Sequence, residues 1–358
     1  MRNLIRVLFL LCTLAFELCT CEGCKSPTAP KDNKHPDTTS NSFVWSVDTI
    51  GAEGSVLYDV TIINDTLAYA SGSIYLRDST GKSDLAHPYN FILWNGKNWT
   101  YYTLRYFPPG STGDSAYGPG TCVFAKSSND IWISAVVPFH FDGLRWQAFY
   151  NTGADAANKI WEDSDGKQIY FVGNNGLITY TSDKGNTWQN VETGTTLPFQ
   201  DIWGDNGQVL AIASSHNYAA RQLYSLQGNT ATAISDSGLY YVFGGIWFVA
   251  NTKYYLAGDG IFEKSSLQSP SWYRHPVGEI ASYYSNAIRG SGINDIVITG
   301  SYGDISHFNG KTWIEYKQLI NTNDRLLSIS IKDNIIIAAG YRYIDYVHNY
   351  GVIYLGRR

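Results

Sequence analysis

Two aspartates are the first residues in this sequence that could do chemistry. Asp59 and Asp201 each begin or adjoin a predicted innermost strand, which would let both line a central channel. Glycoside hydrolysis requires two positioned carboxylates, one as general acid and one as base or nucleophile. Asp59 and Asp201 are therefore the candidate catalytic pair of a polysaccharide-active hydrolase or lyase. The carboxylates of Glu162-Asp163-Ser164-Asp165 read instead as a solvated turn, because Gly166 follows directly. His35, His87, His140, His216, His275, His307 and His348 form no His-Glu-x-x-His or His-x-His array, so no metal site is expected. His140 and His307 recur in His-Phe-Asp-Gly and His-Phe-Asn-Gly, and a repeated residue points to packing rather than to a unique site. Nucleophile elbows, phosphate-cradling loops and dinucleotide fingerprints are absent, and no cofactor is expected. Cys122, in a predicted inner strand, reads as a small buried hydrophobe.

Recognition is the other chemistry these residues could perform. Tyr106, Phe107 and Tyr117 belong to a long Pro/Gly insertion, and Tyr218 lies between Ser214 and Ala219. Tyr302 sits between Gly300 and Gly303, while Tyr341 and Tyr343 flank Arg342. All fall in loops expected to crowd one face. Exposed aromatics beside polar groups suit sugar rings or extended peptides, since they offer apolar area with a hydrogen-bonding edge. The leading expectation is a non-catalytic binding or scaffold module for a glycan or an envelope protein. The hydrolase or lyase is the alternative.

The elements that would position these residues repeat. A glycine turn followed three residues later by tryptophan appears at Gly96/Trp99, Gly143/Trp146, Gly185/Trp188 and Gly310/Trp313. Gly228 keeps the spacing with Ala231 in place of tryptophan, and Trp272 keeps the tryptophan after Ser269-Pro270-Ser271. The pitch is about 42 residues, with Asn-Gly and Asp-Gly supplying tight hairpin turns. Further short strands precede each turn, as in Thr121–Ala125, Ala157–Trp161 and Ser285–Ile288. Four strands per repeat is the content of a propeller blade. The expected fold is all-β: a single seven-bladed β-propeller over residues 43–358. Its last blade, through Leu326–Ile331, Ile335–Ala339 and Val352–Leu355, runs out one strand short. The N-terminal strand Phe43–Val47, with Trp45 at the repeated tryptophan position, would close the ring and remove an open edge.

One turn carries the full pattern Thr181-Ser182-Asp183-Lys184-Gly185-Asn186-Thr187-Trp188. On that string and the repeat, residues 43–358 resemble the bacterial β-propellers built from Asp-box-like (BNR-like) repeats, including the photosystem II assembly factor-like and sialidase-like groups. The resemblance implies a folding role for Asp183, Gly185 and Trp188, with the Asp183 carboxylate bonding backbone amides. A sialidase-like reaction would need an arginine cluster and a Phe/Tyr-Arg-Ile-Pro motif, and that motif is absent.

Before the propeller, Arg2 and Arg6 precede an apolar run, Val7–Phe16, too short to span a bilayer as a helix. A basic start and a short apolar core read as a signal peptide over residues 1–20. Cysteine at the end of such a core resembles the lipobox of bacterial lipoproteins. Leu18 three positions before Cys21 favours lipidation there, with Cys24 as the alternative. Residues 21–42 would then hold the anchor site and a flexible polar tether. The expected location is the bacterial cell envelope, as an outer-membrane lipoprotein or, alternatively, a secreted protein. Membrane contact would run through the lipid alone, and the chain is expected to be a monomer.

Composition fits this reading. Only 16% of residues are charged, against roughly 25% in ordinary soluble domains. The net charge of −5 offers no basic surface for nucleic acid. Tyrosine (27), tryptophan (11) and phenylalanine (15) are plentiful and helix formers sparse, which favours strands.

Overall fold

In the computed structural model, residues 38–108, 110, 115–215, 220–345 and 348–358 are described. They form seven four-stranded antiparallel sheets arranged as the blades of a β-propeller. The innermost strands of blades 1 to 7 are Val56–Asn64, Cys122–Ser127, Lys159–Glu162, Phe199–Asp205, Phe243–Val249, Ser285–Gly292 and Asp324–Lys332. Among the described residues the one helical turn is the 3-10 segment Lys317–Leu319. No helix among them is long and apolar enough to cross a membrane. The signal peptide and the candidate lipidation sites Cys21 and Cys24 lie outside the described residues.

Blade 7 is closed by the N-terminus, as the repeat arithmetic requires. Val44–Ile50 pairs antiparallel with Asn349–Arg357, Trp45 opposite Gly356. A β-carbon on Gly356 would come within 2.9 Å of the Trp45 ring, so this glycine gives the indole its seat. Trp45 also meets Tyr316, in the connection from blade 6 to blade 7, at 5.0 Å. Thr39 and the last residue are both clasped to blade 6 through Asp295, which binds Arg358 by two hydrogen bonds (2.7 and 2.9 Å), His307 at 2.8 Å and Thr39 at 3.2 Å. Burial alone would raise this carboxyl's pKa, but hydrogen bonds from His307, Arg358 and Ser291 hold it well below the usual carboxylate range.

Second strands are the most buried, and Trp94, Trp132 and Trp247 are among the largest fully buried side chains. Each such side chain contributes about 2–3 kcal/mol of apolar burial. Blades meet through aromatic rings laid on glycine. The Trp161 ring of blade 3 lies where a Gly204 β-carbon would be in blade 4, and Trp247 does the same to Gly290 one blade onward from its own.

The turns between third and fourth strands differ from simple two-residue hairpins. Gly96, Gly143 and Gly310 have φ near +90°, while the preceding residue uses its side chain. Asn95 accepts the N–H groups of Lys97 and Asn98, Asp142 those of Leu144 and Arg145, and Asn309 those of Lys311 and Thr312. In blade 3 the Asp183 carboxylate accepts the Thr187 N–H at 2.8 Å and its hydroxyl at 2.6 Å, and Trp188 donates to the Gly185 carbonyl. Side-chain acceptors thus organise the turn before each of these tryptophans.

Candidate binding site at the mouth of the central channel

Five of the seven inner strands carry a β-bulge near their start. The register slips at Tyr58, Gln200, Gly244, Asn286 and Leu327, one residue per blade. A bulge leaves one residue unpaired and re-aims its side chain. All five line one cavity of about 430 Å³ at the channel mouth, together with Lys159 and Tyr284. The mouth faces the loops that join second to third strands and blade to blade. Gln200 donates its amide to the Ser214 carbonyl and Asn286 to the Leu326 carbonyl, both at 2.8 Å. The amide oxygens remain as acceptors at the mouth.

Below lies a narrower cavity of about 170 Å³ whose lining includes Asp59, Lys159, Trp203 and Arg289. Asp59 binds Lys159 at 2.5 Å, the Ser328 hydroxyl at 2.5 Å and the Val123 N–H at 3.2 Å. Asp201 takes two bonds from Arg289, both 2.7 Å, and the Ile246 N–H at 2.9 Å. Arg289 also stacks 5.3 Å from the Trp203 ring. Burial acts to lower the Arg289 pKa, but the Asp201 charge, the hydrogen bonds to Asp201 and the Asp59 charge together outweigh it and the pKa is raised. Of the two aspartates that the catalytic alternative names, Asp59 lines this cavity and Asp201 is buried, and each is spent on a cation and a neighbouring strand. A glycosidase acid needs instead a carboxyl kept protonated and open to the leaving group.

On the rim, Phe107 and Tyr343 are exposed and Tyr302 and Tyr341 half-buried. Tyr341 and Tyr343 meet edge to face at 5.0 Å with hydroxyls 3.1 Å apart. Burial, then the Tyr343 hydroxyl, raises the Tyr341 phenol above its ordinary range. Tyr302 packs edge-on to Tyr283 at 4.6 Å. Tyr106 is half-buried and its backbone pairs with Ala116. Tyr117 turns inward, its hydroxyl on the Tyr89 carbonyl, and burial pushes its pKa up to about 12. Tyr218 lies outside the described residues.

Arg342 corrects the sequence expectation. It is not a free rim cation, because its guanidinium grips the fully buried Asp324 at 2.6 and 2.7 Å. The reason is strand alternation: Tyr341 and Tyr343 share one face, and the residue between them points to the other. Sequence reasoning also missed Tyr58, Lys159, Gln200, Tyr284 and Asn286 at the mouth.

His140 and His307 resolve as packing groups. His140 pairs with Asp130 and His307 with Asp295, each at 2.8 Å and at the same repeat position. Cys122 is fully buried, and burial raises its thiol pKa above the usual range. Among the described residues no three His, Cys, Asp or Glu side chains gather to hold a metal ion.

No protein-family model and no curated protein matches the sequence. Solved structures do match in fold. "YCF48 bound to D1 peptide" aligns with a TM-score of 0.62 at 13% identity, covering 88% of this chain and 97% of that one. YCF48 from Cyanidioschyzon merolae aligns with a TM-score of 0.58 at 13% identity, covering 88% of this chain and 98% of that one. The expected resemblance to photosystem II assembly factor-like propellers therefore holds at the level of fold.

Proposed function

We propose that this propeller is a non-catalytic binding scaffold that takes a segment of a protein partner at the channel mouth. One observation carries the reading: Asp59 and Asp201 are consumed by Lys159 and Arg289, while the cavity above them is lined by the bulge residues, with Tyr58 and Tyr284 among its lining. Such a surface offers hydrogen-bond acceptors and aromatic area without an acid–base pair. The solved propeller YCF48 bound to D1 peptide supports the choice of a protein partner over a glycan. Export and lipidation at Cys21 complete the proposal, on the signal-like start and the cysteine that ends it. The scaffold would then work from the membrane surface of the bacterial envelope.

A photo-crosslinking residue at Tyr58, at the mouth, is expected to give a discrete protein adduct in cells. The same residue at Leu144, 92% exposed in the turn at the opposite end of its blade, should not. Equal adducts at both positions, or polysaccharide turnover abolished by Asp201→Asn, would overturn the reading. Radioactive palmitate should label the chain and lose its target when Cys21 and Cys24 are both replaced by alanine. An unlabelled, released protein would reject the anchor.

A further inference from the structure

Two tyrosines hold a backbone conformation that tyrosine avoids. Tyr241 has φ +67° and Tyr302 φ +65°, in the left-handed region where a β-carbon crowds the following carbonyl. Asparagine or glycine would sit there without that strain. For a bulky residue such an outlier is a pointer to function rather than to folding.

The two share more than their backbone. Tyr241 lies in the connection between blades 4 and 5, directly before Val242, which lines the mouth cavity. Tyr302 lies in the loop between the second and third strands of blade 6, and packs on Tyr283, the neighbour of the cavity residue Tyr284. Each ring is covered by an arginine: Arg274 stands 4.9 Å from the Tyr241 ring and Arg325 4.1 Å from the Tyr302 ring. A main-chain carbonyl fixes each guanidinium. Arg274 donates to the Asp259 carbonyl at 3.2 and 2.9 Å, and Arg325 to the Asp324 carbonyl at 3.0 Å. The Asp324 carbonyl also accepts the Tyr302 N–H at 2.7 Å, so ring and arginine are set from one point. That pairing is built twice on the face that carries the mouth, each time next in chain to a residue that lines the cavity or packed beside the neighbour of one.

We propose that the two tyrosine–arginine stacks are brackets that grip an extended peptide laid across the mouth. The inference rests on the protein-binding reading above and adds the contacts. At the mouth itself, Gln200 and Asn286 have each spent an amide N–H on a carbonyl and present acceptor oxygens. An extended chain offers N–H donors at regular spacing to such acceptors, and side chains to flanking rings. The brackets hold its two ends by aromatic contact, with guanidinium edges beside its carbonyls.

The test uses the full chain in detergent and a peptide selected on it from a random displayed library. Its affinity is measured for the wild type, Tyr241→Gly, Tyr302→Gly and the double variant, alongside thermal unfolding. Glycine relieves the strain while removing the ring, so stability and binding should separate. Each single variant should bind about tenfold more weakly and the double variant about a hundredfold, with Tm lowered by no more than about 4 °C. Tyr241→Phe and Tyr302→Phe should bind as wild type. If a glycine variant fails to fold, Tyr241→Asn and Tyr302→Asn keep the left-handed backbone and replace it. A peptide indifferent to both substitutions would overturn the brackets and leave the binding scaffold standing. A library that enriches no peptide, or a selected peptide displaced by an oligosaccharide, would overturn both.

Discussion

Asp59 and Asp201 divide the seven inner strands between them. Asp59, in blade 1, binds Val123 of blade 2, Lys159 of blade 3 and Ser328 of blade 7. Asp201, in blade 4, binds Ile246 of blade 5 and Arg289 of blade 6. The two seams left over are crossed by amides: Asn158 of blade 3 reaches the Phe199 carbonyl, and Asn286 of blade 6 the Leu326 carbonyl. Together these bonds connect all seven blades around the channel. Both carboxylates are struts of the ring.

A strut has a measurable cost of removal. Arg289→Ala leaves the Asp201 carboxylate, which is 1% exposed, without its cation. Breaking a buried pair from one side costs about 3 kcal/mol, because the other charge stays buried and uncompensated. Urea unfolding should show that loss, and Asp201→Ala added to Arg289→Ala should restore part of it. Additive losses would mean that the two groups do not act as a pair.

Neutral pH should weaken the wall beneath Tyr283 and Tyr302. Asp304 is pushed up to about 7 by burial and then by the Glu315 charge, from an ordinary value of 3.8. Its carboxyl accepts the Tyr283 N–H, and Glu315 accepts that of Ser282 and lies 3.9 Å from Lys317. The folded protein therefore binds this proton more tightly than the unfolded chain. The resulting stability is full below pH 3.8 and lost as pH rises through about 7, by at most about 1.4 kcal/mol per pH unit. Glu162, raised to about 7 by burial and then by Asp130, acts with the same sign. Unfolding measured from pH 5 to 8 should show falling stability, which Asp304→Asn and Glu162→Gln each flatten in part. Stability that rises over this range would contradict the assignment.

Removing the closing strand should open an edge. Without Phe43–Val47 the last strand, Asn349–Arg357, loses its outer partner. An unpaired edge templates pairing with another chain. Light scattering should report association of the truncated protein, whereas a chain lacking only residues 25–37 should stay dispersed. Equal behaviour of the two would show that closure contributes little.

The blades were legible because glycine turns and tryptophans recur with the period of the fold. Trp45 even marked the strand that returns from the other end of the chain. Strand limits moved by a residue or two, as where Ala157–Trp161 became Lys159–Glu162, since inner strands buried on both sides show no alternation to mark their ends. The mouth was mostly hidden. A bulge is a register event between two strands, so nothing in Leu57-Tyr58-Asp59 or Phe199-Gln200-Asp201 alone announces which side chain is thrown out. Tyr241 was invisible for a similar reason: its φ is imposed by the loop, not by its own type. Asp59 and Asp201 could be placed on inner strands, but their partners lie 100 and 88 residues away. No local spacing reveals such partners.

The central claim is that the channel carboxylates hold the ring while the mouth binds. It is tested most directly by measuring affinity and product formation on the same folded samples of Asp201→Asn and Tyr302→Gly, below both unfolding temperatures. Asp201→Asn should unfold at lower temperature yet bind the selected peptide as wild type does, Tyr302→Gly should bind it about tenfold more weakly, and no sample should release product from peptide or polysaccharide. Product formed by the wild type and lost in Asp201→Asn, at an unchanged unfolding temperature, would contradict it.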